Sequence, residues 1–357
     1  MAIVRSPVTA HGLRAIVRRG LLAPTAVGLA AGLGTVAPMD AATPTPAPTP
    51  AATPAPRPEP TAPPASDPIA LGAYIPGAPS DPSLIDAFAR KAGAMPAIVM
   101  WYQGWGGDWS AFYARGADAI RARGAMPLIT WEPWDDDASD SRWRLDAIAG
   151  GDHDAYIRGW AADVAAWGHP IYVRPMHEMN GSWYPWGIGR HGNTPADFRD
   201  AWRHIVGVAR EAGADNIRWV WCPNTLLDNG VTFESLYPGD AWVDWMCVDG
   251  YNWGDTRASS PWHSLRDVLS RSVASLSTLS AKPIMVGETG SGGSPLEKSR
   301  WIWRASQVVP DRWPRVRAVI WFDHIDDGVD WRVSVFPRTM AAFAILAADR
   351  RWQGVLP

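Results

Sequence analysis

Two glutamates stand out because each closes a short apolar run. Glu178 follows Ile171–Met176 after one intervening residue, and Glu288 directly follows Pro283–Gly287. A pair of carboxyl groups can cleave an acetal when one, protonated, supplies a proton to the leaving oxygen and the other, ionised, attacks the carbon. A lone glutamate at such a position is more often half of a surface ion pair. The chemistry therefore depends on whether the fold brings these two residues together.

Further residues with chemical potential lie in the same segments or at the ends of other apolar runs. The candidates for binding a substrate are Arg174, His177, Asn180, Trp183, Tyr251, Trp253, Trp321, Trp131, Glu132 and Trp101. Flat indole rings stack on sugar rings, and an open groove would be lined by Trp101, Trp105, Trp131, Trp134, Trp186 and Trp253. Asn180, Asn224 and Asn252 are candidate partners for sugar hydroxyls.

The roles of these residues follow from the resemblance to a known family described below, which implies that Glu178 is the proton donor and Glu288 the ionised member. Burial raises the pKa of a carboxyl group, so we expect it to keep Glu178 protonated. Glu288 has to stay ionised, and we expect the Tyr251 hydroxyl to donate to it and Arg174 to lower its pKa. His177 would position Glu288 or donate to a hydroxyl of the substrate. Trp321 is predicted to lie beneath the reacting sugar, and Trp183 to bound the side of the leaving group.

Eight apolar runs precede these polar ends. They are Leu71–Ile75, Ala97–Trp101, Pro127–Trp131, Ile171–Met176, Ile217–Cys222, Trp245–Asp249, Pro283–Gly287 and Arg317–Phe322. Helix-like stretches separate them, which indicates parallel strands joined by helical crossovers. Eight such units in 289 residues favour an α/β fold of the (β/α)8 TIM-barrel type, with the reactive groups at the carboxyl ends of the strands. An open doubly wound sheet is the alternative, but no phosphate-binding glycine motif supports a nucleotide site.

The chain divides by composition. Residues 1–40 combine arginines with an uncharged apolar run and are predicted to be an export signal or a retained N-terminal anchor. Residues 41–68 are almost only Ala, Thr and Pro, as in an extended linker. All aromatic residues lie at or after Tyr74, including 23 tryptophans, so residues 69–357 form the predicted catalytic domain. With 33 basic and 36 acidic residues, nucleic acid is not an expected partner.

Neither a metal nor a cofactor is expected. His177-Glu178 is half of the zinc motif H-E-x-x-H, but Gly181 occupies the second histidine position. Asp135–Asp137 is a weak calcium candidate, since acidic runs are usually only solvated. Whether Cys222 and Cys247 pair is open, and buried free thiols are the preferred interpretation.

Three segments together resemble glycoside hydrolase family 26. They are Arg174-Pro-Met-His-Glu-Met-Asn-Gly181 followed by Trp183, Val248-Asp-Gly-Tyr-Asn-Trp253, and Pro283-Ile-Met-Val-Gly-Glu-Thr-Gly290. Trp321 fits the aromatic residue at the end of strand eight. The resemblance covers residues 69–357 and implies a retaining mechanism, with Glu178 as general acid/base and Glu288 as nucleophile.

The N-terminal leader indicates a secreted or cell-surface protein, and the open row of indoles favours an endo-acting enzyme. The resemblance implies a polysaccharide as substrate, and a monomer is expected. β-Mannan is the first expected substrate, and mixed-linkage β-glucan or xylan are the alternatives. The end of strand three reads Trp131-Glu-Pro-Trp134, where a mannanase is expected to carry a histidine, so Glu132 would bind a hydroxyl instead. A barrel that binds polysaccharide without cutting it, held near a cell wall or membrane by its leader, is the alternative of another class.

Overall fold

The computed structural model describes residues 67–107, 110–135, 141–256 and 260–356. The strands that form the barrel are β1 (Ala70–Tyr74), β2 (Ile98–Gly104), β3 (Met126–Glu132), β4 (Ile171–Pro175), β5 (Ile217–Trp221), β6 (Trp245–Asn252), β7 (Ile284–Ser291) and β8 (Val316–Phe322). They pair in parallel in sequence order, and β8 pairs with β1 to close the barrel. The predicted (β/α)8 fold is confirmed.

Helices connect the strands. They are α1 (Ser83–Ala92), α2 (Ala114–Arg121), α3 (Leu145–Ala149), α4 (Asp154–Trp167), α5 (Pro195–Glu211), α6 (Phe233–Leu236), α7 (Leu265–Leu279), α8 (Pro295–Arg312) and α9 (Pro337–Ala348). The first residues of three helices are marked in the sequence, because Thr194, Ser264 and Ser294 each form a reciprocal capping box with the acidic residue three positions later. Helix α1 buries Ile85, Phe88 and Ala92, a spacing that places them on one face against the barrel.

Side chains alternate between the two surfaces of the barrel wall, as the period of a strand requires. On β2, Ile98 and Met100 belong to the inner cluster of apolar residues, whereas Val99 and Trp101 belong to the larger cluster between barrel and helices. A residue on a strand therefore reaches the mouth of the barrel only from an inward position, and in β7 a register shift between Val286 and Thr289 places Glu288 at such a position. This alternation decides which rim residues can take part in a site.

Three elements of the structure, one helix and two short strands, are absent from the prediction. Helix α3 interrupts the connection between β3 and α4, and a short antiparallel pair, β9 (Ile325–Asp326) and β10 (Val329–Asp330), extends the chain after β8. The two-residue strands are too short to produce a period in the sequence. The hairpin lies at the carboxyl end of the barrel and carries Trp331 to the rim aromatics.

The cysteine expectation was wrong. Cys222, directly after β5, and Cys247 of β6 form a disulfide, with their Cα atoms 4.3 Å apart. The two residues are 25 positions apart in the chain, and only the register of β5 with β6 makes them neighbours. A sequence cannot supply that register.

Some predictions lie outside the described residues. The export signal or anchor and nearly all of the linker belong to this group, as do Asp136 and Asp137. Among the described residues, no helix combines the length and apolar character that a membrane span requires.

Candidate active site

The carboxyl ends of the strands form the candidate site. Inward-facing positions at this rim carry Tyr102 from β2, Glu132 from β3, Arg174 from β4, and Tyr251 and Glu288 from β6 and β7. Glu178 comes from the loop after β4. Glu178 and Glu288 are 8% and 5% exposed, so both carboxyl groups are largely removed from water. Side chains that lie more than a hundred residues apart in the chain thus share one rim.

Glu288 is surrounded by donors. Tyr102 donates to its Oε1 at 2.6 Å and Tyr251 to its Oε2 at 2.6 Å, and the Arg174 guanidinium pairs with Oε1. The Tyr251 contact confirms the predicted donor. Although burial alone would raise its pKa, the pKa of Glu288 is held below its usual range, chiefly by the positive charge of Arg174 and by the hydrogen bonds of both tyrosines. Glu288 is therefore the ionised member of the pair.

Arg174 is itself held by a second carboxylate. Its Nη1 lies 2.7 Å from both oxygens of Asp249, its Nη2 donates to Thr130, and neither Arg174 nor Asp249 is exposed. A Cβ atom at Gly287 would lie 2.4 Å from the Cys247 sulfur, 2.7 Å from Asp249 Oδ1 and 2.8 Å from Arg174 Nη1. The glycine before the nucleophile candidate therefore leaves the space that this arginine occupies.

Glu178 sits in a different setting. Trp183 donates its indole N–H to Oε2 at 2.8 Å, and Asn224 donates to Oε1 at 2.7 Å. Burial, followed by the negative charge of Glu288, raises the pKa of Glu178 to about 7, while both donors oppose that rise. The two carboxyl groups interact electrostatically, and Glu178 is the member that holds a proton.

The backbone aims Glu178 by an unusual conformation. Glu178 has φ of 54° and Met176 has φ of 48°, in the left-handed region that side chains with a Cβ adopt only at a cost. The Glu178 amide donates to the Cys222 carbonyl at 2.7 Å, which fixes the turn against the end of β5. A Cβ at Gly181 would lie 2.2 Å from the Trp183 ring, so only glycine allows that ring to pack there.

His177 lies between two acids. Its Nε2 is 4.0 Å from Glu288 Oε1 and its Nδ1 is 3.9 Å from Glu132 Oε1, and the residue is 1% exposed. Burial and the nearby Arg174 charge lower the pKa of His177 to about 3, so the ring is neutral. The structure thus places Glu132 at the same rim and in contact range of His177, as a third buried acid.

Several predicted aromatic positions were wrong, and strand parity is the reason. Trp321 faces the helices, where its ring meets Trp301 and Phe343 edge-on, so it does not lie beneath a sugar. Trp131 stacks on Trp160 of α4 at 4.1 Å, and Trp101 is buried in the same outer layer. The inward neighbour of Trp321 is Phe322, which packs on Tyr74 and Tyr251.

The predicted groove of indoles is also wrong for most of its members. Trp105, Trp134 and Trp186 are buried among other aromatic rings. Trp183 is 37% exposed, and Trp253 is partly exposed and contacts Trp331 at 5.0 Å. The tryptophans of this chain serve mainly to pack helices against the barrel and loops against each other.

Two predicted amides have structural roles. Asn180 donates to the carbonyls of Asn224 and Thr225 and accepts from the Asn224 amide, so it holds the loop after β5. Asn252 accepts from the amides of Gly254 and His263. Asn252 also donates to the Ser291 hydroxyl, so both amide side chains are engaged by partners within the protein, contrary to the expectation that they bind sugar hydroxyls.

Tyr102 and Asp249 were not identified from the sequence as residues of the site. Tyr102 stands one position beyond the apolar run that predicted β2, and only the inward parity of the strand reveals it. Asp249 ends its predicted strand, yet its partner Arg174 lies 75 residues away. A rule that examines every inward polar residue at a strand end would have found both.

The residues leave no evident place for a metal. His177, Asp249 and Glu288 offer ligand atoms within 4.8 Å of one another, but the Arg174 guanidinium already pairs with both carboxylates. The other acid–sulfur group, Cys222, Cys247 and Asp249, contains the disulfide. In the described part of the chain the cationic position of the site is thus filled by an arginine.

Comparison with known proteins agrees with this geometry. Residues 151–279 match the family model Glycosyl hydrolase family 26. Endoglucanase H of Acetivibrio thermocellus is 37% identical over 281 residues, which are 77% of this chain and 30% of that protein. Mannan endo-1,4-beta-mannosidase A and B of Caldalkalibacillus mannanilyticus is 30% identical over 165 residues, 44% of this chain and 28% of that protein. The chain spans under a third of the length of each of these relatives.

Solved structures share the fold. The catalytic domain of the GH26 endo-beta-1,4-mannanase of Bacillus sp. JAMB-750 superposes with a TM-score of 0.62 at 17% identity, over 80% of this chain and 87% of that one. A modular endo-beta-1,4-mannanase of Cellulomonas fimi gives 0.60 at 21% identity, over 79% of this chain and 71% of that one. The matched model makes residues 151–279 similar to glycosyl hydrolase family 26, and the 37% identity to Endoglucanase H extends the similarity over 77% of this chain.

Proposed function

We propose that this protein is a retaining endo-β-glycanase, with Glu288 as nucleophile and Glu178 as general acid/base. The observation that carries the proposal is the different surroundings of two buried carboxyl groups at one rim, with a guanidinium at Glu288 and, among the described residues, none at Glu178. Arg174, Tyr102 and Tyr251 keep Glu288 charged, while burial and the charge of Glu288 keep a proton on Glu178. Double displacement requires this division between the two carboxyl groups, and because an inverting mechanism requires it too, the configuration of the product separates the two.

The first step breaks the glycosidic bond. Glu288 attacks the anomeric carbon with a carboxylate electron pair, the bond to the leaving oxygen breaks, and Glu178 transfers its proton to that oxygen. The product is a glycosyl ester of Glu288 and a shortened chain with a new hydroxyl. Glu178 is then a carboxylate, and its proximity to Glu288 no longer raises its pKa because the ester is uncharged.

The second step hydrolyses the glycosyl ester and regenerates the free enzyme. Glu178 accepts a proton from a water molecule as that water attacks the anomeric carbon, and the ester bond to Glu288 breaks. Glu288 leaves as a carboxylate beside Arg174, and Glu178 regains its proton. Attack occurs twice at the same carbon, so the configuration of the sugar is retained.

β-Mannan is the first substrate that we propose. Curated relatives from Bifidobacterium adolescentis and Bacillus subtilis carry the name mannan endo-1,4-beta-mannosidase, as does the Caldalkalibacillus protein. Their matches cover 26%, 44% and 36% of this chain. The endo mode of attack is proposed from the same names.

β-Glucan is the second candidate, because a specific observation favours it. The match to Endoglucanase H covers 77% of the chain at 37% identity, a longer and closer alignment than those of the three mannosidases. Glu132 also gives the rim a buried acid beside His177. Mannose and glucose differ at one hydroxyl, so one or two such polar contacts suffice to decide between them.

We also propose that the protein acts outside the cell or at its surface. The basic, then apolar, composition of residues 1–40 and the Ala/Thr/Pro content of residues 41–68 support this. Detection of the protein in the culture medium or on intact cells would test it, and retention in the cytoplasm would contradict it.

A substrate panel with product analysis tests the activity. The full chain is incubated with galactomannan, mixed-linkage β-glucan, carboxymethylcellulose and xylan, and the Glu288→Ala protein is the matched control. We expect new reducing ends and a rapid fall in viscosity on one polymer, with retained configuration by NMR, and none of these with the variant. Binding in affinity electrophoresis without cleavage of any polymer would instead support a non-catalytic binding protein.

A further inference from the structure

The two oxygens of the Glu288 carboxylate have unequal partners. Oε1 accepts from the Tyr102 hydroxyl at 2.6 Å and pairs with Arg174 Nη2, and His177 Nε2 lies 4.0 Å from the same oxygen. Oε2 accepts from Tyr251 at 2.6 Å. Each carboxylate oxygen has about two lone-pair positions in its plane. Oε1 therefore has both positions engaged by strong donors, while Oε2 has one engaged by the donors described here.

We propose that Tyr102 is a positioning residue that, with Arg174, locks Oε1 and thereby makes Oε2 the atom that attacks the sugar. This inference rests on the proposed function. The Glu χ3 torsion is broad and roughly two-fold, so a carboxylate without fixed partners samples both faces. Two donors from different strands, β2 and β4, hold Oε1 in place and direct the remaining lone pair of Oε2 outward.

The ring of Tyr102 is held independently of its hydroxyl. It meets Tyr74 edge-on at 5.0 Å and Phe322 at 6.4 Å, and it lies 5.9 Å from His177. The Tyr102→Phe variant therefore keeps the packing and removes one hydrogen bond. Tyr172 provides a matched control, because it is another inward, buried phenol, at the start of β4 and two residues before Arg174. Among the described residues its hydroxyl makes no contact of hydrogen-bond geometry, and the nearby Trp245 ring meets its ring edge-on at 5.8 Å.

The probe is a dinitrophenyl β-glycoside with fluorine in place of the C2 hydroxyl, which traps the glycosyl ester. It is used as the disaccharide of whichever polymer the panel identifies. Hydrogen bonds to charged groups are stronger than neutral ones, so we expect Tyr102→Phe to lower the rate constant of inactivation about ten- to a hundred-fold. The binding constant of the probe should change little. The acidic limb of the kcat/KM profile should move to higher pH, because the lost hydrogen bond favoured ionised Glu288.

Tyr172→Phe should match the wild-type protein in all three measurements. A crystal structure of the trapped wild-type ester is the second test, and it does not depend on any variant. We expect the sugar on Oε2, with Oε1 still in contact with Tyr102 and Arg174. A sugar on Oε1, or a Tyr102→Phe variant that folds and inactivates at the wild-type rate, would overturn the inference.

Failure of the proposed function looks different. If the wild-type protein cleaves no polymer and probes built on the disaccharides of all the tested polymers label no glutamate, the retaining mechanism itself is wrong. If the probe labels Glu288 in the wild-type protein and Tyr102→Phe behaves as Tyr172→Phe does, only the role of Tyr102 is wrong.

Discussion

Glu178 and Glu288 are the same side chain at nearly the same depth, yet their surroundings favour a neutral Glu178 and a negatively charged Glu288. Burial acts in one direction on both, since it raises the pKa of any carboxyl group. At Glu288 a guanidinium and two phenol donors outweigh the effect of burial and lower the pKa. Glu178 has only an indole and an amide as donors, and the negative charge of Glu288 raises its pKa further. Depth alone therefore does not distinguish an acid from a nucleophile, and a fixed cation on one side does.

Removal of either carboxyl group should cause the largest loss of activity. Glu288→Ala should lower kcat on an activated aryl glycoside by about 10⁴-fold or more, since no covalent intermediate forms. Glu178→Ala should lose less, because a good leaving group needs no proton, and azide should restore part of the turnover. Initial rates by absorbance check this. Equal and mild losses in the two variants would contradict the division of roles.

The second largest effect should come from removal of Arg174, whose guanidinium pairs with both Asp249 and Glu288. Arg174→Met leaves Asp249 and Glu288 buried without their partner, so we expect a loss of about 3–5 kcal/mol in the free energy of unfolding. Arg158→Met is the matched control, since its partner Glu211 is exposed, and it should lose less than about 1 kcal/mol. Urea denaturation measures both. Similar losses in the two variants would mean that the buried pair does not stabilise the fold.

The pH profile of the wild-type protein tests whether Glu178 is protonated and Glu288 is ionised in the active enzyme. Glu178 acts as an acid only while it holds its proton, and its pKa is raised to about 7. We therefore expect kcat/KM to fall as the pH rises through about 7, and to fall again at low pH as Glu288 becomes protonated. Activity that increases steadily above pH 8 would show that Glu178 is not the acid.

The smallest effect concerns the donors of Glu178. The Asn224 hydrogen bond favours the charged form, so Asn224→Ala should raise the pKa of Glu178 further and move the basic limb to higher pH. Asn216→Ala is the control, because Asn216 donates only to the carbonyls of Val164 and His169. Its profile should match the wild type. A basic limb of Asn224→Ala that stays in place or moves to lower pH would contradict the described contact.

The sequence predicted the barrel well for a simple reason. Strand and helix periods are local, and eight apolar runs with capped helices between them leave few other folds. Helices α1 and α4 lie between strands, where the sequence predicts helix-like stretches. The β9–β10 hairpin and α3 were not predicted, because such short elements show no hydrophobic periodicity in the sequence.

The tryptophans show where local information ends. Their number and their place at strand ends suggested a groove, but Trp131, Trp101 and Trp321 have outward parity and pack on helices. One step along the strand changes the surface that a side chain faces. Tyr102 and Phe322, at inward positions, were not among the predicted candidates.

The sequence by itself determined the alternation of strands and helices, and with it the rim to which Glu178 and Glu288 belong. It also contained the resemblance that named the two residues. Only the tertiary structure decided their charges, because the Arg174–Asp249 pair, the two phenols on Glu288 and the Cys222–Cys247 disulfide join separate strands. A pKa depends on the charges and donors within a few ångströms, and those neighbours come from distant parts of the chain.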